Sequence, residues 1–188
     1  VLRTIGEPLT VEEITLAPLA PDQVRVRIAA SGVCHSDLSQ ATGVLPAGTP
    51  CVLGHEGAGV VEEVGTQIRH VAPADHVAIA WIPACGRCWY CQRGEVHLCR
   101  NAIRDAYSMP YANDTAGAAL FTSMGVSSFA TATNCLGRAV VKIDEAIPLD
   151  IAALVGCAVA TGAGAALNTA PVQHGSAVAV IGLGGIGL

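Results

Sequence analysis

Residues 24–29 read VRVRIA, in which valine and isoleucine alternate with arginine. A period of two is typical of a strand with one buried face and one solvent-facing side. Strand-like runs follow at residues 59–64 (GVVEEV) and 76–80 (HVAIA), separated by turns that contain glycine and proline. Short strands at this close spacing predict a small β-barrel or β-sandwich in the first half of the chain.

The character of the sequence changes near residue 150. Residues 139–143 (AVVKI) predict another strand, and residues 101–128 predict a loop with room for one short strand. Residues 149–167 are rich in alanine and lack proline, which predicts helix in two pieces broken near Gly156 or Thr161. The apolar run at residues 176–181 (SAVAVI) is typical of a buried parallel strand.

Composition limits the classes of partner. The chain has 188 residues, 52% of them hydrophobic and 13% charged, and a net charge of −5. It contains no block of Lys and Arg, which argues against nucleic acid or an anionic membrane as a partner. No apolar run is expected to approach the roughly 20 residues of a membrane span. Eight cysteines without a visible secretory leader indicate a reducing, cytoplasmic setting, with a disulfide framework as the alternative.

A cysteine cluster lies in the run PACGRCWYCQRGEVHLC, residues 83–99. Its spacing is C-x2-C-x2-C-x7-C, close enough for four thiolates to surround one tetrahedral zinc. Such a shell leaves no position for water or substrate, so we predict a structural zinc site. The ligands are Cys85, Cys88, Cys91 and Cys99.

Three further potential ligands, Cys34, His55 and Cys157, are dispersed along the chain. Two thiolates and one imidazole would leave one zinc position open, which is the pattern of a catalytic site. Residue type alone leaves open the alternatives that His55 is a core or surface histidine and that Cys157 is a packing residue. Cys51 and Cys135 lie outside any motif and are expected to be small core residues.

The chain ends on the motif G-x-G-x-x-G, formed by Gly182, Gly184 and Gly187 directly after an apolar run. These glycines permit a tight turn and the approach of a pyrophosphate to a helix N-terminus. The helix and the acidic residue that complete the motif lie outside the sequence, so an ordinary glycine-rich turn remains an alternative.

Together these motifs resemble the N-terminal half of a zinc-dependent medium-chain alcohol dehydrogenase. The resemblance spans the whole chain and implies a mixed α/β architecture. Residues 1–150 would form a GroES-like catalytic domain with a structural zinc lobe at residues 83–101. Residues 151–188 would supply linking helices, the first β-strand and the glycine-rich turn of a truncated Rossmann domain. The matching segments are GVCHSD (32–37), GHEGAGVVEEVG (54–65), the cysteine cluster, GCAVATGAGAAL (156–167) and GLGGIG (182–187).

The resemblance also implies individual roles at the dispersed site. Cys34, His55 and Cys157 would hold the catalytic zinc, and Glu56 would lie behind the metal. Asp37 would hydrogen-bond the far nitrogen of His55 and fix its tautomer.

Other residues would serve the substrate and the cofactor. Ser36 matches the hydroxyl that receives the alcohol proton, and Trp81 matches an aromatic wall of the substrate pocket. The implied cofactor-binding residues are His35 at the pyrophosphate, Thr161 near the nicotinamide, and Gly182, Gly184, Gly185 and Gly187 in the turn. Two departures are Ser39, where the family often has a histidine that ends the proton relay, and residues 130–138 (ATATNCLGR), which differ from the usual form.

The implied activity is reversible oxidation of a small-molecule alcohol to an aldehyde or ketone, with hydride transfer to NAD or NADP and two zinc ions per chain. The parent enzyme is expected to be a homodimer or homotetramer, and the isolated chain is expected to be inactive. A polyol or thiol-adduct aldehyde dehydrogenase of the same superfamily, or a non-catalytic zinc-stabilised binding module, remains an alternative.

Metal content separates an enzyme from a binding module. We expect two zinc ions per chain, one of them readily removed by a chelator, because an open site exchanges ligands more easily than a closed one. Elemental analysis before and after brief chelation measures both quantities. One tightly held zinc per chain would favour the binding module.

Overall fold

The computed structural model describes residues 1–107, 109–170 and 172–188. Within these residues, one sheet has five strands in the order β8-β2-β4-β5-β9, and a second has four in the order β1-β6-β7-β3. All pairs are antiparallel except β3 with β7. The strands are β1 (Ile14–Leu16), β2 (Gln23–Gly32), β3 (Cys51–Val52), β4 (Glu56–Val64), β5 (His76–Ile79), β6 (Pro110–Asp114), β7 (Ala119–Thr122), β8 (Ala132–Leu136) and β9 (Val140–Lys142).

Three short helices accompany the sheets: α1 (His35–Ala41), α2 (Trp89–Gln92) and α3 (Ala102–Tyr107). Single 3-10 turns occur at Val96–Leu98 and Gly137–Ala139. A longer helical segment, the C-terminal helix, runs through Leu149–Thr169. Within it, α-helical turns (Leu149–Leu154, Ala160–Gly164) alternate with π-helical turns (Val155–Val159, Ala165–Thr169).

The five-stranded sheet follows the alternation predicted for residues 24–29. Val24 and Val26 are fully buried in the main hydrophobic core. Arg25 and Arg27 lie on the other face, where Arg25 forms an ion pair of 3.2 Å with Glu63 of β4. The predictions for β2, β4, β5 and β9 are confirmed to within a few residues at each end.

The prediction of a loop over residues 101–128 is wrong, because this part of the chain contains α3, β6 and β7. Of the turn-forming residues that suggested a loop, Pro110 and Asn113 lie within β6, and Gly117 lies in the short hairpin connection after Asp114. There Asp114 Oδ1 accepts the N–H groups of Ala116 and Ala118. The buried side chains of Tyr111 and Leu120 show that the flanking residues belong to the core.

Residues 130–138, which differ from the family's usual form, contain β8. This strand pairs with β2 at the edge of the five-stranded sheet. Its Thr133 and Cys135 are fully buried, so Cys135 is the core residue that the sequence predicted. Cys51 is likewise fully buried, in a separate cluster with Leu2 and Leu53.

The C-terminal helix is continuous, so the predicted break near Gly156 or Thr161 is wrong. Gly156 serves close packing instead: a Cβ there would lie 2.3 Å from the carbonyl oxygen of Ile79 in β5. Ala152 and Ala153 pack on Ala58 of β4 and are buried. The helix therefore approaches the sheet closely at its N-terminal half.

The rest of this helix is largely exposed, including Val159 and Leu167. By length and composition alone the helix could cross a membrane, so the expectation that no apolar run approaches that length is wrong. The reason is compositional, since residues 151–169 carry no charged side chain.

The strand predicted at residues 176–181 is not formed, and the described residues beyond Thr169 contain neither helix nor strand. Val178, Val180 and Ile181 are exposed, with Ile181 at 99%. A parallel strand must pair with at least one neighbouring strand, and the described residues place no other strand beside this segment.

We expect Gly156→Ala to lower the free energy of unfolding by about 1–3 kcal/mol, because the added methyl forces the helix away from β5. The matched control is Gly164→Ala on the same helix, where a Cβ would meet only Asn168 Nδ2 at 3.9 Å. The control should leave the free energy unchanged or raise it by about 1 kcal/mol. Urea titrations of both variants measure the difference, and equal effects would contradict the packing role of Gly156.

Candidate metal and catalytic site

Three segments bring Cys34, His55 and Cys157 together. Cys34 is the N-cap residue of α1, His55 immediately precedes β4, and Cys157 lies in the first π-helical turn of the C-terminal helix. The two sulfur atoms and one imidazole nitrogen lie within 4.8 Å of one another. The structure thus assembles the dispersed set that spacing alone left open.

The Asp37 carboxylate connects two of these segments. Its Oδ2 accepts the backbone N–H of Cys34 at 3.0 Å, closing a capping box on α1. Its Oδ1 lies 3.0 Å from His55 Nδ1 and accepts the N–H of Gly54 at 3.2 Å. With Nδ1 hydrogen-bonded to Asp37, Nε2 of His55 is left as the nitrogen for a metal.

Ser36, Trp81 and Glu56 surround the three ligands. Ser36 Oγ lies 3.6 Å from Cys34 Sγ. The Trp81 ring meets the His55 ring edge-on, with centroids 6.1 Å apart, and is 38% exposed. Glu56 is buried on β4, and its Oε1 accepts the N–H of Ala158 in the C-terminal helix at 3.1 Å. Glu56 therefore ties the sheet to the turn that carries Cys157.

The ionisable groups of this site affect one another. Burial opposes ionisation of Cys34, but the Ser36 N–H and neighbouring groups outweigh it and lower the pKa of Cys34. Burial also disfavours the charged form of His55, but the hydrogen bond to Asp37 outweighs it and raises the pKa of His55. Burial, together with the charges of Cys34 and Glu56, raises the pKa of Cys157 to about 12. The Cys157 side chain is therefore a neutral thiol in the metal-free site.

The four cysteines of the cluster also converge, with their sulfur atoms within 4.8 Å of one another. Sγ of Cys88 lies 3.5 Å from Sγ of Cys91 and 4.0 Å from Sγ of Cys99. Hydrogen bonds from the Arg87 backbone N–H and from Asn101 lower the pKa of Cys85 to about 6. In the described residues no cysteine forms a disulfide. Four thiols at these distances are the donor set of a closed tetrahedral zinc site.

The predicted cofactor-binding residues come from α1, the C-terminal helix and the glycine turn. His35 is exposed, and its Nδ1 lies 3.3 Å from Ser39 Oγ. Thr161 is exposed one turn beyond Cys157. The glycine turn at residues 182–187 packs against the same helix: a Cβ on Gly162 would lie 2.5 Å from the Ile186 carbonyl oxygen, and one on Gly185 would lie 3.5 Å from Ala158 Cβ.

Two contacts were absent from the sequence predictions. Asn101 Nδ2 donates to Cys85 Sγ at 3.3 Å, and its position two residues after Cys99 was the only available signal. Ser39 is buried beside His35, one helical turn along α1. The i, i+4 spacing on a helix could have indicated that contact.

The fold and the two donor sets define a β-rich domain built to hold one metal in a closed site and one in an open site. Residues 20–145, more than half of the chain, match the alcohol dehydrogenase GroES-like domain. The chain belongs to that family, and the predicted GroES-like architecture is confirmed.

Two curated relatives are similar over 97% of the chain. The alcohol dehydrogenase class-3 of Drosophila melanogaster is 43% identical over 188 residues. The S-(hydroxymethyl)glutathione dehydrogenase of Saccharomyces cerevisiae is 44% identical over 190 residues. The chain covers 50% and 49% of these proteins, so it spans about half the length of the curated relatives it matches.

Solved structures show the same fold. An alcohol dehydrogenase zinc-binding domain protein from Burkholderia ambifaria has a TM-score of 0.84 and 34% identity, over 89% of this chain and 47% of that one. The benzyl alcohol dehydrogenase of Acinetobacter calcoaceticus has a TM-score of 0.74 and 30% identity, over 85% and 44%.

Zinc binding at the three-ligand site should weaken as pH falls. Because the pKa of Cys157 is about 12, its thiol is protonated at neutral pH and must lose that proton to bind zinc. Each proton released lowers the apparent affinity by about tenfold per unit decrease in pH. Calorimetric zinc titrations of the metal-free chain at pH 6, 7 and 8, in buffers of different ionisation enthalpy, measure proton release. Cys157→Ala is the control and should release about one proton fewer; an unchanged count would contradict the assignment of Cys157 as a ligand.

Proposed function

We propose that this chain is the N-terminal half of a zinc-dependent, NAD(P)-dependent alcohol dehydrogenase. The observation that carries the proposal is the three-ligand donor set of Cys34, His55 and Cys157, with Ser36 and Trp81 beside it. Two thiols and one imidazole leave a fourth position for a substrate oxygen. A purely structural site would be expected to have four protein ligands, as the four-cysteine cluster does.

The residues present fit zinc at both sites. Cysteine and histidine are its preferred protein ligands, and within each set the donor atoms lie within 4.8 Å of one another, as one ion requires. Zinc at the open site would act as a Lewis acid that lowers the pKa of the bound alcohol. Cys34, His55 and Cys157 would hold the metal, and Asp37 would fix the tautomer and orientation of His55.

Ser36 is the residue that would receive the alcohol proton. Its hydroxyl lies next to Cys34 at the beginning of α1, and its backbone N–H donates to Cys34 Sγ at 3.5 Å. This backbone contact fixes Ser36 relative to the donor set, while its side chain remains half-buried and within reach of a substrate. His35 and Ser39, in contact with each other on the same helix, would continue the route toward solvent in place of the family's histidine.

Trp81 would form one wall of the substrate pocket. Its indole packs edge-on against His55, and 38% of the residue is exposed. A side chain of this size would narrow the pocket and favour slender primary alcohols over bulky ones. Glu56, which holds the turn that carries Cys157, would lie behind the metal.

The C-terminal part would begin the cofactor-binding domain. The divisions proposed are residues 1–150 for the catalytic domain and 151–188 for the linking helix and first Rossmann elements. A Cβ on Gly184 would meet no atom within 4 Å, which leaves room for a phosphate to approach the backbone. The turn requires glycine at two of its positions. Gly182 has φ of +101°, and a Cβ on Gly187 would lie 2.0 Å from the Gly182 carbonyl oxygen. His35 and Thr161 would complete this side of the site.

The substrate is proposed to be an alcohol or a thiol adduct of an aldehyde. The second class is favoured by the yeast relative, an S-(hydroxymethyl)glutathione dehydrogenase that is 44% identical to this chain. Both substrates present a hydroxyl to the metal and give up one hydride, so the same residues serve either reaction. The enzyme is further proposed to be cytoplasmic, in keeping with eight cysteines that form no disulfide in the described residues. It is also proposed to be a homodimer or homotetramer.

The test is carried out on the full-length protein that contains this chain. The zinc-loaded enzyme should reduce NAD or NADP with ethanol, a longer primary alcohol or S-(hydroxymethyl)glutathione. Ser36→Ala should lower kcat/KM by roughly 10²- to 10⁴-fold, because the proton loses its acceptor. Ser36→Thr, which keeps a hydroxyl, is the matched control and should retain most activity.

Metal content is measured on each variant, so that a loss of zinc is not mistaken for a loss of proton transfer. Failure of the zinc-loaded enzyme with all three substrates would overturn the proposed function. Full activity in Ser36→Ala would overturn the role of Ser36 alone.

A further inference from the structure

Residues 123–128 (SMGVSS) form a buried turn, here called the serine turn. Its three serines, Ser123, Ser127 and Ser128, are each at most 1% exposed. Within the turn the Ser123 N–H donates to Ser127 Oγ at 3.0 Å. This part of the chain touches each of the three β-domain segments that carry Cys34, His55 and Trp81.

The first contact is with helix α1. Ser123 Oγ donates to Gln40 Oε1 at 2.7 Å, and both side chains are buried. Gln40 Nε2 in turn donates to the Pro46 carbonyl oxygen at 3.1 Å. Gln40 lies in the last turn of α1, and the same short helix begins at Cys34. The hydroxyl of Ser123 therefore fixes the far end of the helix that presents the first metal ligand.

The second contact is with the segment that carries His55. The Ser128 N–H donates to the Gly54 carbonyl oxygen, and the Phe129 N–H donates to the Leu53 carbonyl oxygen, both at 3.0 Å. Gly54 has φ of +96°, and a Cβ there would lie 2.6 Å from Ser128 Oγ. The serine turn thus fits directly against the backbone that aims His55 into the site.

The third contact is with the residue that follows Trp81. The Ile82 N–H donates to the Met124 carbonyl oxygen at 3.2 Å. Both residues have left-handed backbones, with φ of 45° at Ile82 and 51° at Met124. Ile82 is β-branched and precedes Pro83, and each of these properties disfavours that conformation. Such a backbone persists only where its surroundings hold it, and here the serine turn supplies the hydrogen bond.

We infer that the serine turn sets the mutual positions of Cys34, His55 and Trp81, and that Ser123 is a positioning residue for the open metal site. The inference deepens the proposed function, since it concerns the site assigned to catalysis. Removing the Ser123 hydroxyl leaves Gln40 Oε1 without its donor in a buried place, so Gln40 and α1 must shift to find another. A small shift of α1 changes the geometry of the donor set, and metal affinity depends steeply on that geometry.

The decisive experiment measures metal binding, separately at each site, in the zinc- or cobalt-loaded protein. Ser123→Ala should lose metal from the open site about tenfold faster to a chelator, the size typical of residues that orient metal ligands. Its cobalt absorption bands from the open site should shift. Loss from the four-cysteine site should be unchanged. Ser123→Thr, which keeps the hydroxyl, should restore both the rate and the spectrum.

Thr133→Val is the matched control. Thr133 is fully buried, and its Oγ1 donates to the Val126 carbonyl oxygen of the same turn at 2.5 Å. Among the described residues its side chain forms no hydrogen bond to any of the three site segments. Thr133→Val should lower thermal stability as Ser123→Ala does. It should lose metal from the open site to the chelator at the same rate as the unmodified protein. If Ser123→Ala does not fold, Gln40→Leu removes the same hydrogen bond from the helix side and should give the same tenfold loss.

The inference is overturned if Ser123→Ala and Thr133→Val release metal from the open site at equal rates, or if Gln40→Leu leaves that rate unchanged. These outcomes involve no turnover of alcohol. A protein that shows the expected metal release but no dehydrogenase activity would retain the positioning role of Ser123 and lose the proposed function.

Discussion

The carboxylate of Asp37 is the constraint on which the open site depends. A buried charge is costly unless its hydrogen-bonding capacity is met. Asp37 is 3% exposed, and it meets that requirement with the N–H groups of Cys34 and Gly54 and with His55 Nδ1. Each of these partners belongs to a segment that supplies a metal ligand or directly precedes one. The hydrogen bonds that the Asp37 carboxylate requires therefore fix the positions of Cys34 and His55 independently of a metal.

The third ligand comes from a different kind of contact. Cys157 arrives on a helix that packs closely on β5, where only glycine at position 156 leaves room for the Ile79 carbonyl oxygen. The Glu56 carboxylate then accepts the N–H of Ala158. Hydrogen bonds to Asp37 thus position Cys34 and His55, whereas packing of a helix on a sheet positions Cys157. Cys51 lies four residues before His55, yet Cys51 and Cys135 are fully buried and belong to neither donor set. A cysteine in this chain is therefore not by itself a sign of metal.

The sequence predicted those parts of the fold whose signal is local. The alternation in β2 and the spacing of the four cysteines lie within short stretches, so period and spacing identified them. The C-terminal helix was judged broken because glycine disfavours helix, whereas Gly156 is needed for a contact with a strand more than seventy residues earlier. Sequence allows only one short strand where β6 and β7 form, because Pro110, Asn113 and Asp114, residue types common in turns, lie within β6 and the apolar pattern of β7 is only four residues long.

The open site could not be derived from spacing, since its ligands come from three separate segments. The resemblance to a known family suggested Cys34, His55 and Cys157, and the geometry brings them within reach of one ion. Neither spacing nor the resemblance indicated a role for the serine turn. Its hydroxyls matter only through partners such as Gln40, whose position depends on the completed fold.

The two donor sets also differ in when they can close during synthesis of the chain. The four cysteines span residues 85–99, so their zinc can be captured as soon as that short lobe has left the ribosome. The open set waits for Cys157, about a hundred residues after His55, and for the helix to dock on a sheet already formed. One metal can therefore support the nascent domain, whereas the other can bind with its full ligand set only after the C-terminal helix has docked on the sheet.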